Sequence, residues 1–107
     1  MLPIVHQIAK EFKLGLQNHY GDNLVELILF GSRARGDYHD ESDIDFAIIL
    51  RDSYLRSPED RIKAAVIESD LLLKYGLVVS SSVASFEKKR SSMQGVYQDI
   101  RKEGIVI

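Results

Sequence analysis

The sequence has no cysteine and no tryptophan among its 107 residues, and only two prolines. Without cysteine the chain forms neither a disulfide framework nor a thiolate metal site, and this fits a reducing compartment, so we expect a cytoplasmic protein. No apolar run approaches the length that crosses a membrane. The first residues also lack the basic and apolar segments of a secretory signal. We therefore expect no association with membranes.

No charge of one sign dominates either. Lys and Arg total 14 and Asp and Glu total 16, which gives a net charge of −2. A near-neutral chain of this kind is a poor candidate for bulk binding of nucleic acid or anionic membranes. The length suits a single domain, residues 1–107, with a modest core.

The first half of the chain predicts a helix followed by two strands. Apolar residues at helical spacing predict an amphipathic first helix that ends at Gly21. Leu24 to Phe30 is a short apolar run that ends at glycine, which predicts a buried strand, and Asp43 to Leu50 predicts a second. Between them, Ser32 to Arg35 has the length of one helical turn. The apolar positions of the first helix are Leu2, Val5, Ile8, Ala9, Phe12 and Leu16.

The second half predicts a long helix, a third strand and a helical end. Ser57, Pro58 and two acidic residues suit the start of a helix, which Gly76 ends. Its predicted inner side is Ile62, Ala65, Val66, Ser69, Leu72 and Leu73. The remaining predicted elements are a strand from Leu77 to Val79 running into Ser80–Ser82, a charged turn or helix from Ser85 to Arg90, a last helix from Ser92 to Lys102 with Met93, Val96, Tyr97 and Ile100 inward, and an edge strand from Ile105 to Ile107. Helices alternate with strands, so the fold class is α/β or α+β, with helices covering a small sheet.

Two aspartates open the second predicted strand. Because successive side chains of a strand point to opposite faces, Asp43 and Asp45 share one face and Ile44 points to the core. Paired carboxylates are hard oxygen ligands that suit Mg²⁺, which shares its coordination shell with waters and substrate phosphates. The pattern also fits an acidic strand start at the surface, and the pair alone leaves that alternative open.

A glycine and a serine follow the first predicted strand. Gly31 has no Cβ and lets the backbone approach a ligand closely, and Ser32 offers an N–H and a hydroxyl to a phosphate oxygen. Alone, the pair also fits an ordinary turn. If the two strands are neighbours, however, phosphate donors and metal-binding carboxylates face each other, which is the minimum equipment for transferring a phosphoryl or nucleotidyl group.

Gly31-Ser32, a gap of ten residues and Asp43-Ile44-Asp45 together resemble the signature of the DNA polymerase β-like nucleotidyltransferase superfamily. The fuller string from Leu29 to Leu50 is similar to its minimal nucleotidyltransferase (MNT) branch. The resemblance implies a mixed sheet packed on helices, ATP or another NTP as donor, and Mg²⁺ held by Asp43 and Asp45. It also implies that Arg33 and Arg35 lie beside the triphosphate with Gly31 and Ser32.

The same resemblance implies a partner. Many members of this branch are encoded beside a HEPN-domain protein and act as antitoxins, and some transfer AMP from ATP to a tyrosine of that toxin. Catalytic members usually carry a third carboxylate on the strand after the long helix. Here no Asp or Glu occurs between Asp70 and Glu87, and a serine hydroxyl is a much weaker Mg²⁺ ligand than a carboxylate.

Three functions follow from the sequence. The first is an Mg²⁺-dependent nucleotidyltransferase that acts on a protein partner. The second is a protein of the same fold that neutralises a HEPN toxin by binding alone, which the missing carboxylate favours. The third is transfer to a small molecule, for which the acceptor-binding part would come from a partner or from a homo- or hetero-oligomer.

Overall fold

The computed structural model describes all residues from 1 to 107. It contains five helices and four strands, and one turn of 3₁₀ helix at Gly21–Asn23 connects the first helix to the first strand. The helices are α1 (Pro3–Tyr20), α2 (Ser32–Arg35), α3 (Pro58–Tyr75), α4 (Phe86–Ser91) and α5 (Gly95–Glu103), and the strands are β1 (Leu24–Phe30), β2 (Ile44–Leu50), β3 (Val79–Ser85) and β4 (Ile105–Val106). No helix is long and apolar enough to cross a membrane.

The four strands form one mixed sheet in the order β3-β2-β1-β4. Strand β2 pairs antiparallel with β1 and parallel with β3, while β4 pairs antiparallel with β1. The parallel pair needs a crossover, which α3 supplies. The predicted α/β class with a small mixed sheet against helices is therefore confirmed, and β1 has the predicted bounds.

Helices α1 and α3 cover one face of the sheet, where the main core lies. The predicted positions of α1 are buried except Leu2, which precedes the helix and is 41 % exposed. Gly21 ends α1 as predicted, with a φ of 57°. The fully buried members of this core include Ile8, Phe12, Leu16, Leu27, Leu29, Ile44, Phe46 and Ile48.

The opposite face of the sheet carries a smaller core under α5. Its buried members are Ile28, Ala47, Ile49, Ala84 and Ile100, with Phe30 and Tyr97 packed against them. This core occupies only part of that face. Asp45 belongs to the same face, because it lies two positions before Ala47 on β2 and side chains alternate along a strand.

The predicted inner side of α3 is wrong. Ile62 is 64 % exposed and Leu73 is 86 % exposed, whereas Ala64 and Leu71 are buried. The helix is rotated because Asp60, in its first turn, points inward. The Asp60 carboxylate accepts hydrogen bonds from the Ser57 backbone N–H and, across the core edge, from the Tyr54 hydroxyl, and it pairs with the His19 ring. Together with the apolar residues Ala64, Ile67, Leu71 and Tyr75 on the same side of the helix, these bonds fix which side of α3 faces the core.

The last third of the chain differs from prediction in smaller ways. The third strand does not stop at the serines but runs through them to Ser85. The last helix starts later than predicted, so Met93 precedes it and is 78 % exposed, and Val96 is also exposed. Ile100 is buried as predicted, and the edge strand β4 is present.

Candidate functional site

A tight turn follows β1. Gly31 has a φ of 76° and Gly36 a φ of 93°, so both lie in the region that L side chains rarely adopt. Between them, α2 forms the predicted single turn, and the Ala34 and Arg35 backbone N–H groups donate to the Gly31 carbonyl, both at 3.0 Å. The two glycines thus allow the chain to leave the sheet, make one helical turn and change direction again.

The two aspartates lie at the start of β2. Asp45 is the second residue of the strand, and its backbone pairs with Phe30 at the end of β1. Ile44 is fully buried in the main core, and Asp43 precedes the strand and is exposed. Burial raises the pKa of the Asp45 carboxyl, and the negative charge of Asp43 raises it further. A cation between the two would relieve both effects.

The turn and the carboxylates are in contact. A Cβ placed on Gly31 would lie 2.7 Å from the Asp45 Oδ2 atom. The backbone of the turn therefore lies directly against the carboxylate, and any side chain at position 31 would displace it. The prediction that the Gly-Ser turn meets an aspartate at the ends of neighbouring strands is confirmed for Asp45, whereas Asp43 lies one residue before the strand that was predicted to begin with it.

The neighbouring position on β3 is a serine. In the parallel ladder between β2 and β3, Asp45 is the partner of Ser80, which is exposed. Nowhere in the structure do three or more His, Asp or Glu side chains come together in a way that could hold a metal ion. The site therefore has two carboxylates, with a neutral hydroxyl at the adjoining strand position.

The Arg33 side chain is buried and makes its hydrogen bonds within the protein. Its side chain is only 5 % exposed, and its guanidinium donates to the carbonyl oxygens of Ser42, at 3.0 Å, and Asp40, at 3.2 Å. It also lies 4.5 Å from the centre of the Tyr38 ring. The sequence suggested a phosphate contact for Arg33. In the structure it fixes the loop that delivers Asp43 to the site.

Arg35 is the more accessible arginine of the pair. Its side chain is 44 % exposed and pairs with Asp37 at 3.2 Å and with Glu103, at the end of α5, at 3.0 Å. Its positive charge opposes the rise of the Asp45 pKa, which places it within electrostatic reach of the site. Sequence reasoning missed Glu103, because nothing in the chain links α5 to a turn 68 residues away.

The donor set fits Mg²⁺. Asp43 and Asp45 offer carboxylate oxygens, the ligand type that this ion prefers, and the exposure of Asp43 leaves room for the waters and phosphate oxygens that complete its shell. Burial and the charge of Asp43 both raise the pKa of Asp45, so a cation bound here would stabilise its charged form.

Comparison with known proteins identifies the family to which the chain belongs. The nucleotidyltransferase domain family matches residues 9–107. Two relatives come from Methanocaldococcus jannaschii. “Putative protein adenylyltransferase MJ0604” is 35% identical over 92% of this chain and 92% of its own, and “Putative protein adenylyltransferase MJ0141” is 39% identical over 69% of this chain and 73% of its own.

Solved structures share the fold. A toxin–antitoxin complex crystallised with AMP-PNP contains a chain that matches with a TM-score of 0.57 at 21% identity, over 89% of this chain and 68% of that one. A structure described as a putative minimal nucleotidyltransferase also matches with a TM-score of 0.57, at 20% identity, over 96% of this chain and 95% of that one.

The chain belongs to the nucleotidyltransferase domain family, and it shares the fold of the solved structure described as a putative minimal nucleotidyltransferase. Its relatives carry the name protein adenylyltransferase. The expectation of an enzyme of this class is confirmed.

Proposed function

We propose that the protein is an Mg²⁺-dependent adenylyltransferase that transfers AMP from ATP to a hydroxyl group of a protein partner. The observation that carries the proposal is the contact between the Gly31 turn and the Asp45 carboxylate, with Asp43 beside it. In a member of this family, that contact supports a site in which phosphate donors and metal-binding carboxylates act at one point.

In this proposal, some residues of the site bind the triphosphate and others bind the metal ion. The Ser32 N–H and hydroxyl are the donors offered to the triphosphate, and Arg35 adds a positive charge that is free to leave Asp37 for a phosphate oxygen. Asp43 and Asp45 hold Mg²⁺, which supplies neutralisation of the phosphate charge and alignment of the acceptor oxygen. Arg33 keeps the loop before Asp43 in place.

The transfer makes one bond and breaks one. The acceptor hydroxyl oxygen forms a bond to the α-phosphorus, the bond from that phosphorus to the β-phosphate bridging oxygen breaks, and pyrophosphate leaves. The hydroxyl proton passes to a base. A tyrosine hydroxyl has an ordinary pKa of about 10, so it needs such a base at neutral pH.

The partner proposed is a toxin with a HEPN domain. The matched chain crystallised with AMP-PNP belongs to a toxin–antitoxin complex, and the sequence resembles antitoxins of the HEPN/MNT kind. The protein would act as the antitoxin and disable the toxin by modifying it. Because Ser80, the β3 neighbour of Asp45, is neutral, the partner would contribute the acceptor and also the base.

A second function, neutralisation by binding alone, has one observation in its favour. The site has two carboxylates, and Ser80 on β3 is neutral. A protein that kept the nucleotide site but lost transfer would look the same at this position. The two functions differ in whether the partner gains mass.

Nucleotide binding is tested first. Titration calorimetry with ATP and Mg²⁺ should give a metal-dependent affinity for the natural chain, and Asp43→Asn should weaken it about tenfold or more while the fold is kept. Equal affinity of the two proteins would show that Asp43 is not a metal ligand.

A further inference from the structure

One cavity of the structure is lined by none of the residues Gly31, Ser32, Asp43 and Asp45. It has a volume of about 300 Å³ and opens between the end of α1, the start of α3 and the outer edge of β3. We call it the Tyr20 cavity. Its lining consists of Tyr20, Arg56, Ser57, Asp60, Arg61, Ala64, Ser82 and Val83.

A buried hydroxyl in this lining has no partner. Tyr20 is 4 % exposed, and its hydroxyl oxygen makes no hydrogen bond. Its ring packs edge-on against the Tyr54 ring, with centroids 5.5 Å apart. Burial, followed by the charge of Asp60, raises the pKa of Tyr20 to about 12, and the charges of Arg56 and Arg61 oppose the rise. The hydroxyl is therefore a protonated donor without a partner, on a residue of the cavity lining and within electrostatic reach of Asp60, Arg56 and Arg61.

The guanidinium groups of Arg56 and Arg61 line the same cavity, and their hydrogen bonds to β3 are long. Arg56 Nη2 lies 3.4 Å from the Val83 carbonyl oxygen, and Arg61 Nη1 lies 3.5 Å from the Ser81 carbonyl oxygen. Both distances are at the long limit for a hydrogen bond. Arg61 also pairs with Glu68 through its other terminal nitrogen at 2.6 Å. Both arginine side chains are exposed and retain donors for a ligand.

The negatively charged side chain of the lining, Asp60, already has hydrogen-bond partners within the protein. Asp60 Oδ1 accepts from the Tyr54 hydroxyl at 2.8 Å and lies 2.7 Å from His19 Nε2, and Oδ2 accepts from the Ser57 N–H at 2.9 Å. Burial raises the pKa of Asp60, but these hydrogen bonds outweigh it and hold the pKa below its ordinary value. Asp60 is thus an ionised acceptor whose bonds are made elsewhere, and two arginines and one hydroxyl remain as donors.

We propose that the Tyr20 cavity binds a small molecule that carries a carboxylate or phosphate group. The oxyanion accepts hydrogen bonds from the Tyr20 hydroxyl and from the guanidinium groups of Arg56 and Arg61, and a short apolar part rests against Ala64 and Val83. Guanidinium and hydroxyl donors around one point favour an oxyanion over any cation or neutral amide. This site is separate from the nucleotide site and does not depend on it.

The test is a titration of the ¹⁵N-labelled protein with inorganic phosphate and with butyrate, at constant ionic strength held with chloride. Backbone amide shifts of Tyr20, Ala64 and Val83 report this cavity, and those of Gly31 and Ser32 report the nucleotide site. The variants are Tyr20→Phe, which removes one hydroxyl and keeps the ring, and Arg56→Gln combined with Arg61→Gln. Arg90→Gln, on the exposed side of α4, is the matched control.

We expect saturable shifts at the cavity amides with at least one of the two probes. Tyr20→Phe should weaken that binding about fivefold, the loss expected of one hydrogen bond, the double arginine variant should abolish it, and Arg90→Gln should leave it unchanged. The proposal would be overturned by cavity amides that do not saturate with either probe, or by the same affinity in all the variants. Shifts confined to Gly31 and Ser32 would also overturn it, because they would assign the anion to the nucleotide site.

Discussion

The Cα of Gly31 lies against the carboxylate of Asp45, so close that a methyl group there would be 2.7 Å from Oδ2. The contact joins the end of β1 to the start of β2, and the backbone pairing of Phe30 with Asp45 holds the two together. The turn proposed to bind phosphate and the carboxylate proposed to bind metal are therefore held next to each other.

Gly31→Ala should damage the site in two ways. The positive φ costs about 1–3 kcal/mol of stability for a residue with a Cβ, and the methyl group displaces the Asp45 carboxylate. We expect MgATP affinity to fall about tenfold or more in titration calorimetry. Gly36→Ala is the control, because Gly36 also has a positive φ but has open space around it. It should lose stability and keep its affinity, and equal losses of affinity in the two variants would contradict the role of the Gly31 contact.

Substitution of Arg33 should mainly lower the stability of the fold, whereas substitution of Arg35 should mainly weaken ATP binding. Arg33→Lys keeps the charge but cannot reproduce the bonds to the Ser42 and Asp40 carbonyls, so it should lower the free energy of unfolding by about 1–3 kcal/mol. Arg35→Gln removes an exposed charge and should change unfolding by less than about 1 kcal/mol while weakening ATP binding. Urea unfolding and calorimetry on both variants distinguish them. The reverse pattern would assign the phosphate contact to Arg33.

Asp45→Asn should not destabilise the metal-free protein. The pKa of Asp45 is raised by burial and by Asp43, so the folded state disfavours its charge. In the absence of Mg²⁺, we expect a melting temperature equal to or above that of the natural chain, because the substitution removes repulsion with Asp43. Added Mg²⁺ and ATP should raise the melting temperature of the natural chain only. A clear loss of stability without metal would show that Asp45 makes favourable contacts in the fold.

The stability of the protein should fall in acid partly through Glu11. The Lys74 ammonium and the Tyr75 hydroxyl bind this carboxylate and lower its pKa from 4.5 to about 2. As the pH falls, the unfolded chain binds the proton first, so the stabilising effect is complete above about pH 4.5 and is lost towards pH 2.

Glu11→Gln tests this pH dependence. Urea unfolding between pH 7 and pH 2 should show a variant that is less stable at neutral pH but loses less stability on acidification, by a small amount because the pair is near the surface. Glu41→Gln, in an exposed loop, is the control and should follow the natural chain. Parallel curves for Glu11→Gln and the natural chain would remove Glu11 as a contributor.

The order of elements and the meeting of the Gly31 turn with Asp45 were predictable, because both depend on local pattern. Apolar runs that end at glycine mark β1 and its exit, and a short gap leads back to β2. The inner side of α3 was predicted wrongly because the helix offers two apolar stripes. The buried one, with Ala64 and Leu71, continues from Asp60, whose partners His19 and Tyr54 come from other segments. The exposed apolar side that results includes Ile62 and Leu73.

The contacts of Arg33 and Arg35 could not be predicted from the sequence either. A sequence shows Arg33 and Arg35 one residue apart, but not that one is buried under its own loop and the other reaches Glu103 on α5. Backbone carbonyls as partners, such as those of Ser42 and Asp40, leave no mark in the residue types.

Intact-mass spectrometry tests most directly the proposed transfer of AMP from ATP to a protein partner. The chain is incubated with ATP and Mg²⁺, alone and with the purified product of the neighbouring gene, and every protein is weighed. We expect the partner to gain the mass of one AMP per transfer, little or no transfer without the partner, and none with Asp43→Asn combined with Asp45→Asn. The contrary result is a toxin that is neutralised equally by the double variant while no protein in the mixture changes mass.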